Sequence, residues 1–218
     1  MGGKKKAAAK KKEDEGEDES LPKFWKLYKK KCVEYDCAVS KIIKDEFNRC
    51  DEDGEKMKKF HIWEELGWVG VKAITDSLSG VGYPHAQSIR MWKTYCEDEG
   101  VRAVVDFMMK SLSVMCLEFL DCKVSALGCE FIGRMLTPGP KCPPLAVLKL
   151  DHNAFGSDGA IALAEGLKAN ENLKILSLAY CDIDYRGGRP LLEILIFQKS
   201  KLEELILTGN KLRNEGSI

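Results

Sequence analysis

The sequence lacks the features that mark secreted, membrane-spanning and zinc-binding proteins. No apolar run approaches the roughly 18 residues of a membrane span, and no apolar segment stands at the N-terminus as a secretory signal would. The nine cysteines include no Cys-x-x-Cys pair, which argues against a structural zinc site. We therefore expect reduced, mostly buried thiols in a cytoplasmic protein that holds no metal and has no membrane partner.

Signatures of catalysis and of nucleotide binding are missing as well. The sequence contains no Gly-x-x-x-x-Gly-Lys-Ser/Thr phosphate loop and no Gly-x-Ser-x-Gly nucleophile turn. The three histidines, His61, His85 and His152, lie far apart. The 34 basic residues balance the 34 acidic ones, so the chain has no overall field to attract nucleic acid. These absences predict a non-catalytic protein with no cofactor and no nucleic-acid partner.

The first 20 residues have a low-complexity composition. Six lysines in 4–12 are followed by six acidic residues in 13–19, and after Met1 no large apolar residue precedes Leu21. Such a segment cannot offset the entropy cost of ordering by burial, so residues 1–20 are predicted to be a disordered Lys/Glu-rich tail. Two interpretations stay open. The lysines form a basic arm for an acidic surface, such as nucleic acid, lipid headgroups or tubulin, or the tail only keeps the protein in solution.

Residues 21–59 are predicted to form an N-terminal capping helix and a turn. Ser20 and Pro22 are typical of a helix start. Apolar residues then recur at alternating steps of three and four, which places them on one helical face. They are Trp25, Tyr28, Cys32, Tyr35, Val39, Ile42 and Phe47. The helix is expected to end between Asn48 and Gly54.

A repeat with a period of 28 to 31 residues occupies 60–218. Segments of the form Leu-x-x-Leu-x-Leu-x-x-Asn recur, and we call their last position the anchor. The anchors are Thr94, Cys122, Asn153, Cys181 and Asn210. A glycine stands six residues after each anchor, at Gly100, Gly128, Gly159, Gly187 and Gly216. A degenerate unit begins near Phe60. Long internal repeats of this kind indicate a solenoid.

Each unit predicts a short strand followed by a return helix. Leucines at alternate positions point to one side of a strand, the anchor side chain pairs with backbone groups of the turn, and the glycine opens the helix. The pattern resembles the ribonuclease-inhibitor-like leucine-rich-repeat family over 60–218, most closely from Leu148 to Leu167. The resemblance implies an α/β solenoid shaped as a horseshoe, with parallel strands on the concave face and helices on the convex face. It also implies about five to six units, the last one incomplete, and cysteine anchors without redox chemistry.

Two rows of residues between the core leucines are predicted to face the concave side, where a partner would bind. The first row is Arg90, Glu118, Lys149, Ser177 and Ile206. The second row is Trp92, Leu120, Asp151, Ala179 and Thr208. The alternating charges of the first row favour ion pairs between neighbouring strands. Trp92 beside Leu120 is typical of an interface anchor, unless the N-terminal helix or a neighbouring side chain covers it.

The repeats predict a non-catalytic scaffold that binds other proteins, as a subunit of a larger assembly. Gly67-Trp68, Ile89-x-Met91-Trp92-Lys93 and the Lys-rich start are similar to leucine-rich-repeat proteins of cilia. That resemblance implies a structural component of a ciliary or flagellar axoneme. The alternative is a cytosolic regulator, either an enzyme inhibitor or a GTPase-activating module, since proteins of this repeat class do both.

The C-terminal edge of the predicted sheet has nothing to cover it. Leu202, Leu205 and Leu207 form the last predicted strand, and Gly216 stands where a return helix would open. An uncovered edge strand leaves backbone groups unpaired and apolar surface bare. We therefore expect a partner or a missing segment to cover this edge.

Overall fold

Strands and helices alternate along the chain from residue 59 onward. The computed structural model describes residues 18–196 and 200–213, which contain seven α-helices, one 3₁₀-helix and six strands. The α-helices are α1 (Ser20–Glu34), α2 (Lys41–Asp53), α3 (Gly67–Val81), α4 (Glu97–Ser111), α5 (Ala126–Leu136), α6 (Gly156–Leu167) and α7 (Tyr185–Glu193), which the 3₁₀-helix Ile194–Ile196 extends. The strands are β1 (Lys59–Ile62), β2 (Ser88–Trp92), β3 (Cys116–Leu120), β4 (Val147–Lys149), β5 (Ile175–Ser177) and β6 (Glu204–Ile206).

The six strands form one open parallel sheet in which each strand pairs with the next one in sequence. The register aligns one apolar residue from every strand: Phe60, Ile89, Leu117, Leu148, Leu176 and Leu205. These are positions at which the repeat predicted a side chain in the core, and all but Leu205 are buried. The predicted α/β solenoid with a parallel sheet is therefore confirmed.

Helices α3 to α7 form a layer behind the sheet, each packed against its neighbours. The apolar core lies between this layer and the strands, and its burial stabilises the fold by about 25 cal/mol per Å². The backbones of α5 and α6 touch directly, because a Cβ on Gly166 would lie 2.1 Å from the carbonyl oxygen of Gly133. Only glycine permits so close an approach.

The glycines that follow the anchors lie in the first turn of each return helix rather than at its first residue. Gly128 and Gly187 are the third residues of α5 and α7. A Cβ on Gly128 would lie 2.5 Å from Oδ1 of Asp98, and one on Gly187 would lie 2.7 Å from Cα of Ser157. Both neighbours belong to the preceding helix, so close stacking of successive repeats accounts for these glycines. Gly216 lies outside the described residues.

The N-terminal cap contains two helices, so the prediction of one continuous helix was wrong. Helix α1 ends where Asp36 adopts a left-handed φ of 52°, and α2 begins after Ser40, whose side chain accepts a hydrogen bond from the N–H of Ile43. The N–H of Ser40 donates to the hydroxyl oxygen of Tyr28 at 3.0 Å, which ties the break to α1. The spacing of apolar residues that predicted one helix across this break is fortuitous, since Val39, one of those residues, is exposed.

The cap also includes the end of the segment predicted as a disordered tail. Residues 1–17 lie outside the described residues. The carboxylate of Asp18 lies 3.1 Å from Nζ of Lys56 and 2.5 Å from Nε2 of His85. Hydrogen bonds from the Ser20 N–H and from His85 hold the pKa of Asp18 well below its usual range. The cap therefore includes residues 18–20, which the sequence assigned to the tail.

The described part of the sheet ends at β6. Leu202, Leu205 and Leu207 are only partly buried against the core. Leu192 and Ile196, at the end of α7 and in the 3₁₀-helix after it, are exposed. This end of the molecule thus has more apolar surface in contact with solvent than the middle repeats have.

Candidate functional site: the concave face

The anchors fix the turns after the strands and so position the concave face. Asn153 is buried, and its Oδ1 accepts hydrogen bonds from the N–H groups of Cys122 at 2.9 Å and Val124 at 3.1 Å, in the preceding repeat. Its Nδ2 donates to the carbonyl oxygens of Phe119 and Leu150, both at 2.8 Å. One amide side chain therefore joins two consecutive turns.

Cysteine anchors occupy the same place with fewer bonds. The Sγ of Cys181 lies 3.2 Å from the carbonyl oxygen of Leu150 and 3.3 Å from that of Ala179. A thiol is a single weak donor and a poor acceptor, whereas the next anchor, Asn210, accepts from the N–H of Cys181 at 3.0 Å. Burial raises the pKa of the Cys181 thiol to about 12. The five anchors at these turns are Thr94, Cys122, Asn153, Cys181 and Asn210.

Ion pairs join the N-terminal half of the first concave row. Glu118 is only 6 % exposed although its neighbours along β3 face the core. Its Oε1 lies 3.3 Å from Nε of Arg90 and 3.8 Å from Nζ of Lys149, which stand on the two flanking strands. Arg90 is exposed and Lys149 partly exposed. The alternating charges thus pair with one another, while their cationic groups remain at the surface.

In the C-terminal half of the two concave rows, the polar groups form hydrogen bonds with one another. The Oδ1 of Asp151 accepts from the hydroxyl of Ser177 at 2.6 Å and from the N–H of Ala179 at 2.8 Å. Ser177 and Ala179 are buried. Farther along, Ile206 is partly buried and Thr208 is exposed. Asp151, Ser177 and Ala179 therefore serve the repeat itself and offer little to a partner.

Trp92 lies at the N-terminal end of the concave face with its indole in solvent. It is the last residue of β2, is 57 % exposed and stands beside Leu120 in the sheet register. The predicted alternative, coverage by the N-terminal helix, is not seen in the described residues, since α1 packs against α3. The Nζ of Lys93 lies 6.0 Å from the indole centroid, at the limit of a cation–π contact.

Trp63 belongs to the same surface, although the repeat pattern did not single it out. It is 64 % exposed, and Ile62 pairs with Met91, which places Trp63 one residue further on, beside Trp92. The degenerate first unit lacks the leucine consensus, but counting three residues from Phe60 reaches Trp63 just as counting three from Ile89 reaches Trp92. Trp63, Arg90, Trp92, Leu120 and Lys149 are named the N-terminal concave patch below.

A cleft of about 530 Å³ opens next to this patch, between α2 and β1. Its walls include Glu46, Arg49, His61 and Trp63. The Arg49 guanidinium already contacts the Glu46 carboxylate at 2.8 Å. Burial lowers the pKa of His61, and the nearby charge of Arg90 lowers it further, so the imidazole is neutral at pH 7. The cleft therefore adds apolar surface to the patch, and Lys59 in its wall adds an exposed cation.

Other kinds of site were sought in the described ranges, 18–196 and 200–213. No group of three or more His, Cys, Asp or Glu side chains there is placed to hold a metal ion. Within the same ranges no helix has the length and apolar character to cross a bilayer. All nine cysteines are free thiols, and six of them are buried.

Known proteins that are similar to this chain contain the same kind of repeat. The "Leucine Rich repeat" family model matches residues 141–164, 169–192 and 198–217. The chain is 25 % identical to human NACHT, LRR and PYD domains-containing protein 13 over 184 residues, which are 78 % of this chain and 17 % of that protein. It is 29 % identical to mouse ribonuclease inhibitor over 121 residues, or 55 % of this chain and 26 % of the inhibitor. These matches span about a quarter or less of the relatives' own length.

A solved structure shares the architecture. The tropomodulin C-terminal domain of Caenorhabditis elegans aligns with a TM-score of 0.51 and 14 % identity, over 70 % of this chain and 90 % of that one. At this identity the likeness concerns the fold alone. Together, the repeat, the parallel sheet and the relatives show a leucine-rich-repeat solenoid that is similar to ribonuclease inhibitor.

Proposed function

We propose that the chain is a non-catalytic protein-binding scaffold whose contact surface is the N-terminal concave patch. The observation that carries the proposal is the pair of neighbouring tryptophans, Trp63 and Trp92, both more than half exposed. Exposed aromatic side chains next to aliphatic ones are enriched at binding hot spots, and contiguous apolar surface marks interaction sites. In the C-terminal half of the two concave rows, Asp151 is bonded to Ser177 and Ala179, and neither row has an aromatic residue there.

The test compares two tryptophan substitutions in the full chain. Proteins that co-purify with the tagged wild type are identified, and their affinities for the Trp92→Ala and Trp68→Ala variants are measured. Trp68 is the matched control, because it is 42 % exposed but lies on α3 behind the sheet.

We expect Trp92→Ala to weaken binding of the partner by about 2 kcal/mol or more, or roughly thirtyfold. Trp68→Ala should leave the affinity unchanged. Equal losses of affinity in the two variants, or no loss in either, would show that the N-terminal concave patch is not the contact surface.

An enzyme inhibitor is the second candidate, because two of the relatives, from mouse and pig, are ribonuclease inhibitors at 29 % and 27 % identity. By its name, that relative acts on an enzyme. We expect the purified chain to lower the activity of a ribonuclease in a titration, with the Trp92→Ala variant less potent. Unchanged ribonuclease activity at a large excess of the chain would rule out the inhibitor candidate and leave only the scaffold proposal. No observation on the molecule favours the GTPase-activating alternative.

The cytoplasmic location and the axonemal role are also proposals. The axonemal role rests on the sequence resemblance at Gly67-Trp68 and Ile89–Lys93, and the names of the relatives do not add to it. A tag at the native locus should give axonemal fluorescence in ciliated cells. A diffuse cytoplasmic signal would contradict the axonemal role and agree with a cytosolic regulator.

Coverage of the C-terminal edge is a further proposal, supported by the surface of α7. A cleft of about 370 Å³ is lined by Tyr185, Leu192, Ile196 and Leu212, and β6 is the last strand of the described sheet. We expect the purified chain to self-associate at micromolar concentration in sedimentation velocity runs, and Ile196→Ser to reduce this association. A monomer at every concentration would argue against an exposed adhesive edge.

A further inference from the structure

The N-terminal concave patch carries a charge pattern in addition to its tryptophans. Arg90 and Lys149 of the patch lie on β2 and β4, and Lys59 borders the patch on β1. Lys59 and Arg90 are exposed, and Lys149 is partly exposed. Glu118, between Arg90 and Lys149 in the sheet register, keeps only 8 % of its side chain exposed. The positive charges therefore face solvent, while the negative charge lies beneath them.

The buried carboxylate does not balance these cations. Glu118 is shared between Arg90 at 3.3 Å and Lys149 at 3.8 Å, so two cations divide one negative charge. Neutral His61 adds none. A carboxylate from a partner would find donors of both residues unoccupied, because a guanidinium has five N–H donors and an ammonium three. Charge-assisted bonds at a partly buried site of this kind are stronger than those between neutral groups.

The spacing of the cations fits an extended chain. Arg90 and Lys149 are two strands apart, which at about 4.8 Å per strand is roughly 10 Å. Two side chains three residues apart on a peptide in the extended polyproline II conformation lie on the same side and are separated by roughly 9 Å. Trp92 lies two residues beyond Arg90 on the same strand, about 7 Å away. An extended peptide crossing the strands would thus meet both cations along its length and the two indoles along one side.

We infer that the partner segment of this patch is an extended acidic peptide that also carries apolar side chains. The inference rests on the proposed function and specifies the chemistry of its ligand. A single-stranded nucleic acid also stacks on tryptophan, but its backbone calls for a longer track of cations than the three on this face. The charge pattern therefore favours a protein partner, which presents carboxylates, over a nucleic acid, which presents phosphates.

The experiment selects ligands without assuming a sequence. Random twelve-residue peptides displayed on phage are selected on the immobilised full chain and, in parallel, on its Trp92→Ala variant. A synthetic copy of the best Trp92-dependent peptide is then titrated against the wild type, Arg90→Gln and Lys149→Gln, with oligothymidylate as a second probe. Arg134→Gln is the matched control, since that exposed arginine lies on α5 and pairs with Glu130 at 2.9 Å.

We expect the Trp92-dependent peptides to be rich in Asp and Glu with at least one large apolar residue. Affinity should fall about tenfold in Arg90→Gln and in Lys149→Gln, fall with added salt, and stay the same in Arg134→Gln. Neutral or basic Trp92-dependent peptides, or tighter binding of oligothymidylate, would overturn the acidic-peptide inference and leave the patch as a binding surface. Selection of the same peptides by the wild type and the Trp92→Ala variant would overturn the proposed function as well.

Discussion

The anchors and the second concave row stand only two positions apart in each repeat, yet they behave differently. Thr94, Cys122, Asn153 and Cys181 are buried, and Asn210 is partly buried. Two residues earlier, Trp92 is 57 % exposed, Leu120 and Asp151 are partly buried and Ala179 is buried. The anchor position is thus buried in four of the five units, whereas burial of the concave position varies from one unit to the next.

The difference follows from what each position must satisfy. An anchor side chain meets backbone N–H and C=O groups of a turn that every repeat forms, and such buried groups need partners. The contacts of a concave side chain depend on which residues stand beside it on the adjacent strands, and these differ from repeat to repeat. Substitutions at anchors should therefore affect stability, and substitutions at the exposed end of the concave row should affect binding.

Among the anchor and concave-face variants, Asn153→Ala should give the largest loss of stability. It leaves the buried N–H groups of Cys122 and Val124 without their acceptor and removes a donor from the Phe119 carbonyl. At about 1–3 kcal/mol for each buried unsatisfied group, we expect the free energy of unfolding to fall by about 4 kcal/mol in urea titrations. The control is Asn172→Ala, an exposed asparagine, for which we expect a loss below about 1 kcal/mol. Similar losses in the two variants would mean that the anchor bonds matter little.

Cys181 should tolerate a smaller polar residue better than a larger apolar one. Serine keeps a donor toward the carbonyls of Leu150 and Ala179, so Cys181→Ser should cost about 1 kcal/mol. Leucine overfills the site and leaves the carbonyls without a donor, which should cost about 2–3 kcal/mol. The two melting temperatures provide the measurement, and the reverse order would show that the site behaves as a simple apolar pocket.

The reactivity of the cysteine anchor gives a prediction that needs no substitution. Burial raises the pKa of Cys181 from 9.0 to about 12, so its thiolate fraction near pH 8 should be about a thousandfold lower than that of an ordinary thiol. Its alkylation by iodoacetamide should be slow and should rise with pH, while partly exposed Cys116 reacts faster. Rates read by peptide mass spectrometry provide the check. Equal rates for the two cysteines in the native protein would contradict the buried anchor.

Trp92→Ala should have the smallest effect on stability. The indole is mostly in solvent, so we expect the free energy of unfolding to change by no more than about 0.5 kcal/mol. Its neighbour in β2, Met91, is buried and should lose about 2–5 kcal/mol on replacement by alanine. Chemical denaturation of the two variants tests the contrast. A large loss in Trp92→Ala would show that the chain itself packs against the indole.

The repeat predicted much of the fold because its constraints are local. The leucines around Leu148 and the anchor Asn153 recur at nearly constant spacing, and the structure aligns those leucines strand by strand. The break between α1 and α2 escaped the same reasoning. The spacing from Tyr28 through Val39 imitates one helical face, and the left-handed turn at Asp36 has no strong sequence signal, since the residue is not glycine.

The candidate site was predicted only in part. The sequence shows which residues face the concave side, but it does not show which of their side chains bond to one another and which stay available to a partner. Spacing identified Trp92 as a concave residue and suggested that Arg90, Glu118 and Lys149 pair with one another. It did not find Trp63, whose unit departs from the leucine consensus. It also assigned Asp151 and Ser177 to the contact surface, whereas their side chains bond to each other at 2.6 Å.

The amino-acid sequence by itself determined the class of fold, the order of strands and helices, and the positions of the anchors. Each of these depends on residues within one repeat, where spacing alone decides which side of a strand a side chain occupies. The tertiary structure decided which concave residues are available to a partner. That outcome depends on contacts between residues 26 to 31 positions apart, such as those of Asp151 with Ser177 and of Glu118 with Lys149. Such contacts exist only after adjacent repeats have stacked, because stacking brings their side chains within bonding distance.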